Sequence, residues 1–251
     1  RRHTRSLCDW SSDVCSSDLE PRELSFLLAW LLRDQFRCVL FDWRGVKSPQ
    51  RGPVTLDRLV ADLFEIADHW PGQPNRLLAT GLGGLVGLRA LHDRPGQFTH
   101  LTLVGGYAHR QLTGTERLLA GLGGWLPGTV RRLPGWRALQ RHSHRRFFPP
   151  FDETRFEFYL DRTGRMPIGP VCELAQVIAA TDLTALLPRI ETPVLLIQTE
   201  GTPVPLREAG QGLARQLPRV TVEELHNTGL VPGLTHPHRI AKLIRGAAEG
   251  A

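Results

Sequence analysis

Apolar and polar residues alternate along this chain in two periods that take turns. Helical spacing predicts a helix over Glu23 to Arg33, and the buried-strand run CVLFD (Cys38 to Asp42) follows, ending in a turn at Trp43-Arg44-Gly45. Leu56, Leu59, Val60, Leu63 and Ile66 then recur at helical spacing behind a start signal at Thr55, and Pro71-Gly72 breaks the pattern before the short strand RLLAT (Arg76 to Thr80). Gly81 to His92 reads as a helix opening on a glycine-rich turn, and HLTLV (His100 to Val104) as a buried strand ending at Gly105-Gly106. Beyond a long interruption come PVLLIQ (Pro193 to Gln198), a helix over Leu206 to Leu217, RVTVEEL (Arg219 to Leu225) and a last helix over His236 to Ala248. This order predicts a mostly parallel sheet flanked by helices, with right-handed crossovers. Between Tyr107 and about Ala180 the strand signal vanishes, and several short helical patches predict an inserted lid.

Composition narrows the class. With 251 residues, 41% of them hydrophobic and 22% charged, the chain can pack one large core, which excludes a wholly disordered or collagen-like reading. The greasiest stretch, Leu118 to Val130, is cut by four glycines and Pro127, so no segment is apolar for the length of a membrane span and a soluble protein is expected. The net charge of +6 comes almost wholly from arginine, a bias that GC-rich coding also produces, so nucleic acid is not the expected partner. Cys8, Cys15, Cys38 and Cys172 form no CxxC pair and no secreted disulfide pattern. A reducing, cytoplasmic setting fits, with no metal and no cofactor expected.

The first nineteen residues do not share this patterning. They hold five of the eight serines and follow neither period, and DWSSDVCSSDL (Asp9 to Leu19) resembles the in-frame translation of a sequencing-library adapter. Residues 1–19 are therefore read as a non-native segment fused to a truncated protein. The remainder divides into 20–106, the first part of an α/β core; 107–180, the helical lid; and 181–251, the rest of the core.

FDWRG (Phe41 to Gly45), LLATGLGGLVGLRAL (Leu77 to Leu91), LPRIETPVLLIQTEGTPVP (Leu187 to Pro205) and HNTGLVPGLTHPHRIAKLI (His226 to Ile244) stand in the order, and in the contexts, that resemble the α/β-hydrolase fold over roughly residues 23 to 249. The resemblance implies a nucleophile elbow, G-x-S-x-G, on a strained strand-to-helix turn. Here the string is Ala79-Thr80-Gly81-Leu82-Gly83, so the nucleophile's position holds Gly81. By the same alignment Gly201 stands where the acid should orient the imidazole, and Leu230 where the general base should be. All three positions are empty of chemistry, and Ser25, Ser48 and Ser143, the serines beyond residue 19, fall on no predicted elbow. The resemblance also implies that the family's third strand, with the oxyanion loop behind it, belongs between the strands at Cys38 and Arg76. A truncated chain should then show a gap there, or a forced pairing of the two.

These residues predict a non-catalytic, pseudo-hydrolase role: binding a small hydrophobic or anionic ligand or a protein partner, in a pocket at Thr80, Gly81, Leu82 and Leu230. One alternative is a divergent hydrolase or lyase using His226 with Glu200 as its acid. Another is a dinucleotide-binding oxidoreductase, because Gly81, Gly84 and Gly87 also fit TGxxGxxG after a strand. That reading lacks a ribose-binding residue after HLTLV and the YxxxK pair. Six arginines from Arg131 to Arg146 are either a solvated face paired with Asp152, Glu153, Glu157 and Asp161, or an anion site with Arg145 and Arg146 as its candidates.

Overall fold

The computed structural model describes residues 5–10, 21–44, 46, 53–70, 75–124, 126–148 and 152–249. Among them β1 (Arg5–Trp10), β2 (Phe36–Leu40), β3 (Arg76–Thr80), β4 (His100–Val104), β5 (Val194–Thr199) and β6 (Val220–Leu225) form one parallel sheet in the order β2-β1-β3-β4-β5-β6. Because successive strand residues face opposite ways, β3, β4 and β5 each feed two cores. Leu77, Ala79, Leu101, Leu103 and Leu196 pack under α2 (Leu56–Ala67) and α3 (Gly81–Asp93), while Leu78, Val104, Leu195 and Ile197 pack against α1 (Phe26–Leu32) and the last helix.

Between β4 and β5 the chain inserts α4 (Gly114–Gly123), α5 (Trp136–His144), α6 (Glu153–Gly164) and α7 (Ile168–Ala180), with no strand among the described residues of this insertion. α8 (Val204–Gln216) follows β5, and α9 (Pro232–Thr235) and α10 (Pro237–Glu249) follow β6. No helix among the described residues is long and apolar enough to cross a membrane.

Two expectations change. β2 starts and ends two residues earlier than predicted, because Asp42 leaves the ladder to pair with the Arg22 guanidinium at 3.1 Å. The expected gap beside it is absent: β1 fills the slot, Arg5–Asp9 in register with Phe36–Leu40 and Leu7–Trp10 with Arg76–Ala79. Both flanking strands offer a row of N–H and C=O groups that need partners, and backbone pairing does not depend on side-chain identity, so a segment of low strand propensity can occupy it. Thr55 caps α2 by accepting from the Arg58 N–H at 3.4 Å, and Arg44 forks onto Asp62 of that helix, which fixes the turn after β2.

Candidate functional site

β3 runs extended to Thr80, and α3 begins on the next residue with Gly81 in the left-handed region at φ +44°. An L side chain there costs of order 1–2 kcal/mol. The strand-to-helix turn therefore has a backbone that would be strained by a side chain, and it carries no side-chain atom at its apex. The later glycines of this string serve packing. A Cβ on Gly84 would lie 2.6 Å from Leu103 Cδ1, and one on Gly87 would lie 3.3 Å from Leu101 Cδ1, so both let α3 approach β4 closely. That accounts for the glycine spacing without a dinucleotide.

The loops after β5 and β6 are stitched together by backbone. The Glu200 N–H donates to the Leu225 carbonyl at 3.1 Å and the Gly201 N–H to the Thr228 carbonyl at 2.8 Å. What lies against this seam is Phe147, at the end of a short helical turn (Arg145–Phe147) after α5. A Cβ on Gly201 would overlap the Phe147 ring and sit 2.9 Å from the Thr228 oxygen, and a Cβ on Gly229 would lie 2.5 Å from Phe147 Cγ and Cδ2. The ring thus fills the space that a side chain at position 201 would enter. Leu230 itself packs with Leu24, Phe148, Phe156, Tyr159, Val231 and Leu234, an apolar cluster built largely from the insertion. The sequence reading missed Phe147, for which the only signal was a pair of loop glycines marking a close approach.

This packing makes a checkable statement. Gly201→Asp is expected to cost about 1–3 kcal/mol as overpacking, and Phe147→Ala in the same chain should recover a large part of that cost. Denaturant melts of the two single variants and the double variant measure the coupling. Additive effects would show that the ring does not fill the seam.

Of the predicted pocket residues, Thr80 and Leu230 do meet, lining a cavity of about 20 Å³ with Leu24, Ser25, Leu28 and Pro232. That is room for one water. Thr80 Oγ1 is buried beside it with no hydrogen-bond partner among the described residues. Leu82 is not part of this pocket: it lies wholly buried in the core on the other face of the sheet, with Leu59 and Leu63. A larger open groove of about 580 Å³ lies elsewhere, between the start of α2 and the end of α7, lined by Val54, Thr55, Asp57, Arg89, Glu173 and Asp182. The larger space is therefore remote from the elbow.

His226 Nδ1 lies 3.9 Å from Glu200 Oε2, but the side chains are 71% and 54% exposed. Glu200 also accepts the Asn227 N–H at 2.8 Å, in a turn where Asn227 takes φ +57°. Three of the six arginines of the basic run are matched by acids of α6: Arg137 and Arg141 both reach Glu157, the latter at 2.8 Å, and Arg145 reaches Glu153 at 2.9 Å. The side chain of Arg146 lies outside the described residues. No cluster of three or more metal-ligating side chains occurs among the described residues.

Two histidines are buried, one in the insertion and one at the end of the sheet away from Thr80. His144 is stacked on Tyr159 at 5.4 Å between ring centres, and burial pushes its pKa down to about 4. His100, at the start of β4, is also lowered to about 4, first by burial and then by the nearby Arg76 charge. Neither of its ring nitrogens finds a partner among the described residues.

The profile of the Alpha/beta hydrolase family matches residues 10–243 of the chain. No curated protein matches it. Solved structures with the same fold include a hydrolase from Pseudomonas aeruginosa PA01, 20% identical with a TM-score of 0.77, covering 96% of this chain and 89% of that one. A thermophilic esterase from Thermogutta terrifontis is also 20% identical with a TM-score of 0.77, over 98% and 91% of the two chains. An enol-lactonase from Burkholderia xenovorans LB400 is 19% identical with a TM-score of 0.73, over 98% and 92%.

Proposed function

The chain belongs to the alpha/beta hydrolase family, and from that premise we propose that it is a non-catalytic member whose role is binding. The observation that carries this reading is the apex of the elbow: Gly81 holds a left-handed φ of +44° and offers nothing that can attack a carbonyl. Phe147 supports it from the other side, by filling the seam where acid and base would pair. The cavity beside Thr80 holds about 20 Å³, room for one water and none for a small ligand. A small ligand would instead enter the open groove of about 580 Å³, whose lining mixes Asp57, Arg89, Glu173 and Asp182 with Val54 and Leu183.

The similar structures are an esterase and an enol-lactonase, so short acyl esters and lactones are the substrates on which to test the reading. Turnover is expected at the background rate, with no labelling by a fluorophosphonate probe, because no group at position 81 can be acylated. Gly81→Ser alone should stay inactive, since a lone hydroxyl without base and acid is not activated. Stoichiometric labelling of the native chain would overturn the proposal.

A second reading draws on the 3.9 Å approach of His226 to Glu200, a pair able to activate water without a covalent intermediate. It requires hydrolysis that disappears in His226→Ala, with the fold unchanged by circular dichroism. Activity that survives this substitution would dismiss it.

A further inference from the structure

α4 is packed the wrong way round for a helix that ends at water. It buries its small residues: Ala120 packs with Leu112 and Ala175, its carbonyl accepts from Gln176 Nε2 at 2.9 Å, and Gly123 abuts Cys172 and Ile168 of α7. Its leucines point outward, Leu118 and Leu119 each 61% exposed and Leu122 59%, and Leu126 just beyond the helix is 48% exposed. Several large apolar side chains exposed on one short element are unusual on a soluble surface and mark a contact face.

Along the chain the charge beside that face is mostly positive, and Glu116, the acid of α4, is paired with Arg110 at 2.9 Å. From Arg117 to Phe151 the sequence has seven arginines and no carboxylate. Acids of α6 take up Arg137, Arg141 and Arg145. Arg117, Arg131 and Arg132, which bracket the exposed leucines along the chain, are exposed and make no ion pair among the described residues. A second copy of this chain is a poor occupant, because pairing the face with itself sets these cations against each other.

We propose that α4 and the following turn dock on an anionic lipid surface, the leucines entering the acyl boundary and Arg117, Arg131 and Arg132 meeting lipid phosphates. Apolar side chains flanked by unpaired arginines are the composition by which helices lie in a membrane interface rather than span it. The contact is independent of the elbow and does not depend on whether the protein is catalytic.

Co-sedimentation of the full chain with vesicles of phosphatidylcholine mixed with phosphatidylglycerol tests it. The chain is expected to pellet with the mixed vesicles, far less with phosphatidylcholine alone, and less as salt is raised. The paired change Arg131→Glu and Arg132→Glu should weaken binding about tenfold or more, since each arginine near an anionic leaflet contributes roughly fivefold. Leu119→Asp with Leu122→Asp should remove it, and both pairs are surface changes whose folding is checked by circular dichroism. No pelleting with the mixed vesicles would overturn the proposal, as would equal binding to neutral vesicles. Heparin binding that the leucine variants leave unchanged, without vesicle binding, would reassign the arginines to a soluble polyanion. A dimer in light scattering that the leucine variants dissociate would show that a second copy covers the face.

Discussion

Removing residues 1–19 is expected to abolish the folded state. β1 is an inner strand, bonded to β2 over Arg5–Asp9 and to β3 over Leu7–Trp10. Without it the two neighbours stand about two strand spacings apart, near 10 Å, too far to pair. Each buried ladder group left unpaired costs about 1–3 kcal/mol, against a whole-domain margin of about 5–15 kcal/mol. A few orphaned groups exhaust that margin, and the exposed edges of β2 and β3 are templates for aggregation. The shortened chain should therefore appear in inclusion bodies, or as a species with no cooperative thermal transition. Cys8→Pro is the gentler probe, because it removes one N–H from a central ladder where proline is not tolerated. It should lower the melting temperature strongly. A soluble monomer lacking residues 1–19 and melting like the full chain would show that β2 and β3 can be satisfied without this strand.

β3 and β4 were legible because each is a short, largely apolar run between breaks, the pattern of a strand buried on both faces, and both match their predicted bounds. β1 was not legible, since its place is decided by the backbone groups of its neighbours and not by its own side chains. At the site, the strand-to-helix turn at Gly81 could be read from the small residues around it, because a close turn leaves a local signature. Phe147 left none. It meets Gly201 and Gly229 only after the insertion folds back over the ends of β5 and β6, and no periodicity encodes a contact between segments so distant in sequence. The same holds for Leu82, whose helical position alone could not tell the pocket face of α3 from the core face.

Acid should weaken the fold through the two histidines that burial keeps neutral. In the unfolded chain each takes its proton near pH 6.5, while in the folded chain His100 and His144 do so only at about 4. Between those values the unfolded state binds more protons, so stability is full above about pH 6.5 and falls as pH drops towards 4. The residues are only 7% and 3% exposed, so little solvent screening offsets the effect, and each histidine costs about 2 kcal/mol by pH 5. The lowered carboxyl groups of Asp93 and Asp182 work in the same direction at lower pH, since their stabilisation is lost as they protonate. Urea melts at pH 7 and pH 5 should therefore differ by about 4 kcal/mol, and His100→Leu with His144→Phe should remove most of the difference. Leucine suits the apolar start of β4, and phenylalanine retains the stack on Tyr159. Parallel pH curves for native and doubly substituted chains would refute the assignment. His144 ends α5, immediately before the turn that carries Phe147. Its protonation should loosen Phe147 from Gly201 and Gly229 first, and hydrogen exchange at pH 5 should reach the Gly201 amide before the amides of β4.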